Sequence, residues 1–169
     1  MKKPRKAYKP KGMNRDPMNA ARTMQALMTT GQLKLIVVPM KDACKVLGTT
    51  FDIDDWRNLA DASNVAHELK GMGIASGPQA DEVFSAFHDA LVALHERHGE
   101  RGTWTPRASE LQAVRDGVWL HEFQLKHCSM LEFQNAWQAV VRKSRDAHIK
   151  GHAADVVKVR AAAREAVAA

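Results

Sequence analysis

The stretch LKLIVVPM at residues 33–40 decides which fold class this chain can adopt. Its β-branched residues are typical of a strand, and Pro39 would end a short strand here. No second run of this kind occurs elsewhere in the sequence, and a strand without a partner leaves its backbone donors and acceptors unpaired. We therefore predict a buried helix interrupted by Pro39, and a strand over Leu33–Val38 stays the open alternative.

Length and composition are those of a single globular domain. The chain has 169 residues, of which 45% are hydrophobic and 26% are charged. A folded body of about 150 residues buries roughly 68–70% of the surface of its unfolded chain, which is enough for a self-standing core. The longest apolar run, residues 33–40, is too short to cross a bilayer. We therefore expect one helical domain over residues 16–169 and no membrane partner.

Capping residues, prolines and glycines divide this domain into further helices. The predicted starts are Asp16-Pro17, Asp52 or Thr50, Pro78, Thr105-Pro106, and a capping box of Ser129 with Glu132. The predicted ends are Gly31, the neighbourhood of Leu69, Gly99 and Gly151, and a last helix follows Gly151. Together these segments predict an all-α fold, a compact bundle of six or seven helices.

The tryptophans and cysteines are predicted to be structural. Trp56, Trp119 and Trp137 fall on or beside apolar helix faces, where we predict core or interface positions. The fourth tryptophan, Trp104, lies in a predicted loop and is expected to pack over the end of the core. Two cysteines far apart in the sequence do not form a disulfide framework, so we predict small core side chains and a reducing, cytoplasmic location.

Charge is segregated along the chain. The formal net charge is +6. Residues 1–15 carry 7 basic and no acidic side chains, residues 16–141 carry 11 basic and 16 acidic, and residues 142–169 carry 7 basic and 3 acidic. The N-terminal segment therefore supplies the whole excess, and a pI of 9.5 does not indicate a uniformly basic surface.

Residues 1–15 form a candidate binding arm. Pro4 and Pro10 favour extended backbone and the like charges repel, so we predict a flexible, disordered arm. An aromatic residue among cations suits stacking on a nucleic-acid base. The predicted contact residues are Lys2, Lys3, Arg5, Lys6, Tyr8, Lys9, Lys11 and Arg15. Nucleic acid is the predicted target, and an acidic protein surface or a merely solubilising role are the alternatives.

A second group of cations, Arg142, Lys143 and Arg145, lies near the end of the helix that begins at Ser129. These residues could contact phosphates as a second binding surface. Cations in this position also stabilise the negative end of the helix dipole without any partner. The sequence leaves both interpretations open.

No motif in the sequence predicts catalysis. The histidine pairs His95/His98 and His148/His152 have too few ligands at a recognised spacing for a zinc site. The three aspartates within residues 52–55 suit a helix N-terminus better than a Mg²⁺ site. Neither a phosphate-binding glycine loop nor a nucleophile motif is present. We predict no metal, no cofactor, no small-molecule substrate and no enzymatic activity.

These observations predict a non-enzymatic helical protein that binds nucleic acid or a nucleoprotein complex through its basic arm. The alternative is a phage- or plasmid-encoded accessory protein that binds or inhibits a host complex. In that case the acidic middle would mimic nucleic acid, or the arm would bind an acidic groove. An enzyme whose site has no local sequence motif is the third hypothesis.

Overall fold

In a computed structural model, which describes residues 25–147, the stretch around Pro39 is helical. Helix α1 occupies Thr30–Val46 with Pro39 inside it. Proline removes one backbone hydrogen bond to the carbonyl four residues earlier, here that of Leu35. Both Leu35 and Pro39 are exposed, so this carbonyl lies on the solvent side of the helix. The helical prediction is confirmed, and the alternative strand over Leu33–Val38 is wrong.

The described residues contain five helical segments and no strand. After α1 come α2 at Ile53–Gly71, α3 at Pro78–Arg101 and α4 at Ala108–His127. A fifth helix, α5, covers residues 130–147. The all-α prediction is confirmed, although the helix count differs from the six or seven predicted. The last predicted helix, after Gly151, and most of the first lie outside the described residues.

The chain before α1 departs from the prediction of a helix that runs to Gly31. Leu27 forms an isolated antiparallel bridge with Ser129, and Met130 donates its backbone N–H to the carbonyl of Ala26 at 3.4 Å. Thr29 then caps a new helix through a capping box with Gln32, in which Gln32 Oε1 accepts the Thr29 N–H at 2.8 Å. The cap restarts the helix. Gly31 therefore lies in the first turn of α1 and ends nothing.

Three of the predicted helix starts are confirmed. Asp52 caps α2, and its carboxylate accepts the backbone N–H groups of Asp54 and Asp55 at 2.9 and 3.0 Å. Pro78 is in the first turn of α3. Ser129 and Glu132 form the predicted capping box before α5, and the Ser129 hydroxyl accepts the Glu132 N–H at 3.2 Å.

The connection between α3 and α4 was predicted less well. Helix α3 continues past Gly99 to Gly102, which caps it at a φ of +67°. That positive φ favours glycine because it lacks a Cβ. Helix α4 does not begin at the predicted Thr105-Pro106 but after Arg107. Glu110 decides this start, because its carboxylate accepts the Arg107 backbone N–H at 2.7 Å.

The core lies where α2, α3 and α4 meet, and α1 packs across α2 and α4. Its largest fully buried side chains include Leu59, Leu69, Phe84, Phe87, Leu94, Val114 and Leu125. Cys128 is fully buried in this core and Cys44 packs against it, both as free thiols. Burial raises the pKa of the Cys128 thiol to about 11. The predicted role of the cysteines as small core residues is confirmed.

Gly117 brings α3 and α4 close together. An added Cβ at this position would lie 2.3 Å from Cγ of Phe87, which is far inside van der Waals contact. Phe87 is fully buried, so its ring fills the space above the glycine. The Phe87 ring can therefore pack directly against α4 because residue 117 has no side chain.

None of the helices within residues 25–147 has the length and apolar character needed to cross a membrane.

Candidate functional site

The predicted contact residues fall in two parts of the chain. Lys2, Lys3, Arg5, Lys6, Tyr8, Lys9, Lys11 and Arg15 lie outside the described residues, and so do His148 and His152. Their roles stay predictions. The other three, Arg142, Lys143 and Arg145, lie on the last described turns of α5, where all three are exposed.

The structure separates Lys143 from its two neighbours. Lys143 Nζ forms an ion pair with Glu68 of α2, which ties α5 to the body. Within the described part of the chain, Arg142 and Arg145 form no ion pair with any carboxylate. They are one helical turn apart, so their guanidinium groups share a face. Among the described residues, Lys143 is therefore engaged in an ion pair, whereas Arg142 and Arg145 have no carboxylate partner there.

A cleft of about 430 Å³ lies beside Lys143, between α2, α3 and α5. His67 and His88 line it together with Glu68. Partial burial lowers the pKa of His67, and the nearby charges of Lys70 and His88 lower it further. His67 is therefore mostly neutral near pH 7 and adds little positive charge to the cleft.

Most cations of the body are neutralised locally. Within residues 25–147, eight ion pairs join basic side chains to carboxylates, and they are Lys41–Glu122, Lys45–Asp42, Arg57–Asp54, Lys70–Asp81, Arg97–Glu110, Arg107–Glu110, Lys126–Glu122 and Lys143–Glu68. The best formed is the two-bonded pair of Arg97 with Glu110 at 2.6 and 2.9 Å, which lowers the pKa of the Glu110 carboxyl. Because it joins α3 to α4, this pair is structural.

His95 and His98, one of the histidine pairs considered for metal binding, contact aromatic side chains. The rings of His95 and His98 stack on Trp56 and Trp104, with centroids 4.5 and 4.0 Å apart. Trp56 also donates its indole N–H to the carbonyl of Leu91 at 3.0 Å. Trp104 is packed, as predicted. Within residues 25–147, no three His, Cys, Asp or Glu side chains are grouped as metal ligands would be.

An apolar cavity of about 280 Å³ lies between α1, α2 and α5, with α4 at its floor. We call it the His121 cavity. Its lining residues are Leu35, Ile36, Pro39, Met40, Asn58, Asp61, Ala62, Val65, His121, Phe133 and Trp137. Apolar side chains dominate, and the polar groups are few. This composition is typical of small-molecule sites.

His121 is the buried polar group of this cavity. Only 1% of its surface is exposed, and burial lowers its pKa to about 4 although a hydrogen bond with Gln124 opposes the shift. Its Nδ1 lies 3.0 Å from Oε1 of Gln124. The imidazole is therefore neutral at pH 7. At the rim, partial burial raises the pKa of the Asp61 carboxyl.

A second groove, of about 670 Å³, runs along α3 and α4 beside the α2–α3 connection. We call it the Trp119 groove; it is lined by Ala75, Ser76, Gly77, Pro78, Gln79, Ala80, Val83, Asp116, Trp119 and Leu120. Trp119 is 68% exposed, so it is not a core residue. The core role predicted for it is therefore wrong, and the interface role stays a prediction.

Sequence reasoning missed His121 and Gln124. A signal was present, because His121 falls at helical spacing on the same stripe as Val114, Val118 and Leu125. A polar residue on an otherwise apolar helix face indicates either a buried hydrogen bond or a site. The partner of such a residue comes from a distant part of the chain and cannot be read from spacing.

Comparison with other proteins gives no relative from which a function could be transferred. No protein-family model matches the chain, and neither a curated protein nor a solved structure is similar to it.

Proposed function

We propose that this chain is a non-enzymatic helical protein that binds nucleic acid or a nucleoprotein complex through cations at its two ends. The observation that carries the proposal is the segregation of charge. Residues 1–15 carry 7 basic side chains and no acidic one, whereas residues 25–147 carry 13 basic and 16 acidic. A polyanion is attracted by the positive charge of residues 1–15 and repelled by the net negative charge of residues 25–147.

The ion pairs of the body support the same proposal. Lys41, Lys45 and Arg57 each have a carboxylate within 2.9 Å, so little of their charge is offered to a phosphate. Arg142 and Arg145 have none among the described residues. In this proposal these two exposed arginines, which share a face of α5, contribute to the binding surface.

Phosphate contacts of this kind give affinity but little sequence readout. The arm acts as an electrostatic anchor, and Tyr8 adds base stacking on single strands. A stacked aromatic contributes about 1–3 kcal/mol per base. The Tyr8→Ala variant is therefore expected to weaken binding to a single strand by that amount and to leave duplex binding nearly unchanged.

The test is a titration of the full-length protein with a DNA duplex at several salt concentrations. If all seven arm cations contact phosphates, the logarithm of the affinity falls against the logarithm of salt with a slope of about −6, from roughly −0.9 per contact. Replacing the seven Lys and Arg residues of the arm by Gln should remove most of this slope. Equal slopes for the two proteins, or no binding by either at low salt, would contradict the proposal.

A second candidate function is that of an accessory protein, encoded by a phage or plasmid, that binds a host protein complex. The observation in its favour is the Trp119 groove, because an exposed tryptophan beside an apolar groove is typical of protein interfaces. Capture from a nuclease-treated bacterial lysate distinguishes the two candidates. A stoichiometric protein partner that is lost in the Trp119→Ala variant and kept in Trp137→Ala would favour this second function.

A further inference from the structure

The hydrogen bonds of Gln124 determine the state of the His121 ring. The side-chain amide nitrogen of Gln124 donates to the carbonyl of Ala66 at 3.2 Å and to that of Ile74 at 2.9 Å. Two carbonyl acceptors leave no doubt about which end of the amide is the nitrogen. Gln124 Oε1 is therefore the end that faces His121, and an oxygen can only accept.

The tautomer of His121 follows from this orientation. Because Gln124 Oε1 accepts, Nδ1 of His121 must carry the proton. A neutral imidazole protonated at Nδ1 has a bare lone pair at Nε2. Within residues 25–147 no hydrogen bond joins a protein group to this second nitrogen, and it is not among the fully buried atoms that lack a partner, so it is open to the cavity. A buried ring held in one orientation thus offers one hydrogen-bond acceptor.

The surroundings of the ring determine which molecules can use that acceptor. His121 lines a mostly apolar cavity of about 280 Å³, with Ile36 and Met40 on one wall and Phe133 on the α5 side. Asn58 and Asp61 are the other polar residues of its lining. For comparison, an apolar cavity of about 150 Å³ suffices to bind benzene. Because Nε2 has no protein partner among the described residues, a donor in the cavity can bond to it without breaking a protein contact.

We propose that the His121 cavity binds a small apolar molecule that carries a single hydroxyl or N–H donor, which His121 Nε2 accepts. The ligand class is that of phenols, indoles and short-chain alcohols. Such molecules fill a cavity of this size with apolar surface and place one donor at its floor. This site is separate from the cationic ends of the chain and does not depend on nucleic-acid binding.

Phenol and toluene are matched probes, because they differ only in a hydroxyl in place of a methyl group. In a purely apolar cavity toluene binds more tightly, since an added methyl group favours burial. If His121 accepts the hydroxyl, phenol should instead bind about threefold to tenfold more tightly, as expected for one hydrogen bond. Both dissociation constants are measured on the full-length protein from amide and Trp137 indole shifts in ¹H–¹⁵N NMR spectra.

Two variants distinguish the effect of the His121 acceptor on binding from the effect of the cavity volume. His121→Phe keeps a ring in place but removes the acceptor, and it should reverse the order so that toluene binds more tightly than phenol. Ala62→Leu narrows the opposite wall and should weaken both probes at least tenfold. Trp119→Ala changes a different groove and should leave both affinities unchanged.

Tighter binding of toluene than of phenol to the natural chain would show that His121 offers no acceptor. Saturating shifts that cluster outside the cavity, or no saturable binding of either probe at millimolar concentration, would show that the cavity is not a site. If His121→Phe fails to fold, the order of the two probes and the Ala62→Leu variant still decide the question.

Discussion

At the scale of single residues, the contact between Gly117 and Phe87 limits which residue position 117 can hold. A methyl group at residue 117 would collide with Cβ and Cγ of the buried Phe87. Cβ is fixed to the backbone of α3, so the helix itself would have to shift to relieve the clash. Overpacking of this kind costs about 1–3 kcal/mol, which exceeds the gain of about 1 kcal/mol from replacing a helical glycine by alanine.

We therefore expect Gly117→Ala to lower the free energy of unfolding by about 1–2 kcal/mol in urea titrations. Gly99 is the matched control, because it lies inside α3 with no atom within 4 Å of an added Cβ. Gly99→Ala should raise the unfolding free energy by about 0.5–1 kcal/mol. Opposite signs for the two substitutions are the result that identifies close packing as the cause, and equal signs would contradict it.

Protonation of His121 should make stability depend on pH. Burial lowers its pKa in the folded protein to about 4, from an ordinary value of 6.5. Between these values the unfolded chain binds a proton at this residue that the folded protein does not. The free energy of unfolding should therefore fall by on the order of 3 kcal/mol as the pH drops from about 6.5 to 4. Above pH 7 the contribution of His121 should not change with pH.

Urea unfolding at pH 7.0, 5.5 and 4.5 measures this dependence. The His121→Gln variant keeps a donor for Gln124 but does not titrate, so its unfolding free energy should change much less with pH. His67 contributes in the same direction because its pKa is also lowered, although it is more exposed. His88→Gln, on the exposed face of α3, should retain the decrease. An unchanged slope in His121→Gln would rule out this account.

At the scale of the element, α1 shows a helix that its neighbours impose on a sequence of mixed preference. Val37, Met40 and Ala43 are its buried residues and have helical spacing, whereas Pro39 interrupts its hydrogen bonding on the exposed side. Burial of this stripe offsets the loss of one backbone bond.

The Pro39→Ala variant should therefore stabilise the protein. It restores the hydrogen bond to Leu35 and removes the clash of the ring, while a small part of the gain is lost because the unfolded chain becomes more flexible. We expect the free energy of unfolding to rise by about 1–2 kcal/mol in urea titrations. Val38→Ala, on the neighbouring exposed residue, should change it by less than about 0.5 kcal/mol. A destabilised Pro39→Ala variant would show that the ring has a packing role that the exposed position does not suggest.

The start of α4 shows how a tertiary contact moves an element boundary. Thr105-Pro106 has the sequence of a helix start, but Glu110 is held by Arg97 of the preceding helix. In that position the carboxylate caps the N–H of Arg107, so the helix begins two residues later than predicted.

At the scale of the whole molecule, charge replacement can test whether the two exposed arginines of α5 contact DNA directly or act only through the net charge of the protein. Replacing Arg142 and Arg145 by Gln should reduce the steepness of the salt dependence of DNA affinity by about 2, from roughly 0.9 per phosphate contact. Replacing Lys45 and Arg57 by Gln removes the same formal charge from residues that are already paired with Asp42 and Asp54. This control should leave the slope nearly unchanged, and equal effects of the two double variants would count against a contact surface on α5.

The sequence by itself determined the fold class, most of the helix starts and the segregation of charge. These properties are local: a capping residue, a proline in a first turn or an apolar stripe acts within a few residues of chain. The caps at Asp52 and Ser129 and the core role of Cys128 could therefore be predicted. The helical state of residues 33–38 was predicted by elimination, because a strand had nothing to pair with.

Only the tertiary structure decided which polar residues become a site. His121 lies on an apolar stripe, but its tautomer depends on Gln124, whose amide is held by carbonyls 58 and 50 residues away along the chain. In the same way, Glu68 distinguishes Lys143 from Arg142, although the three cations of α5 look alike in sequence. Burial, pairing and protonation arise from contacts between distant segments, and for this reason neither the cavity nor the division of the cations could be read from spacing alone.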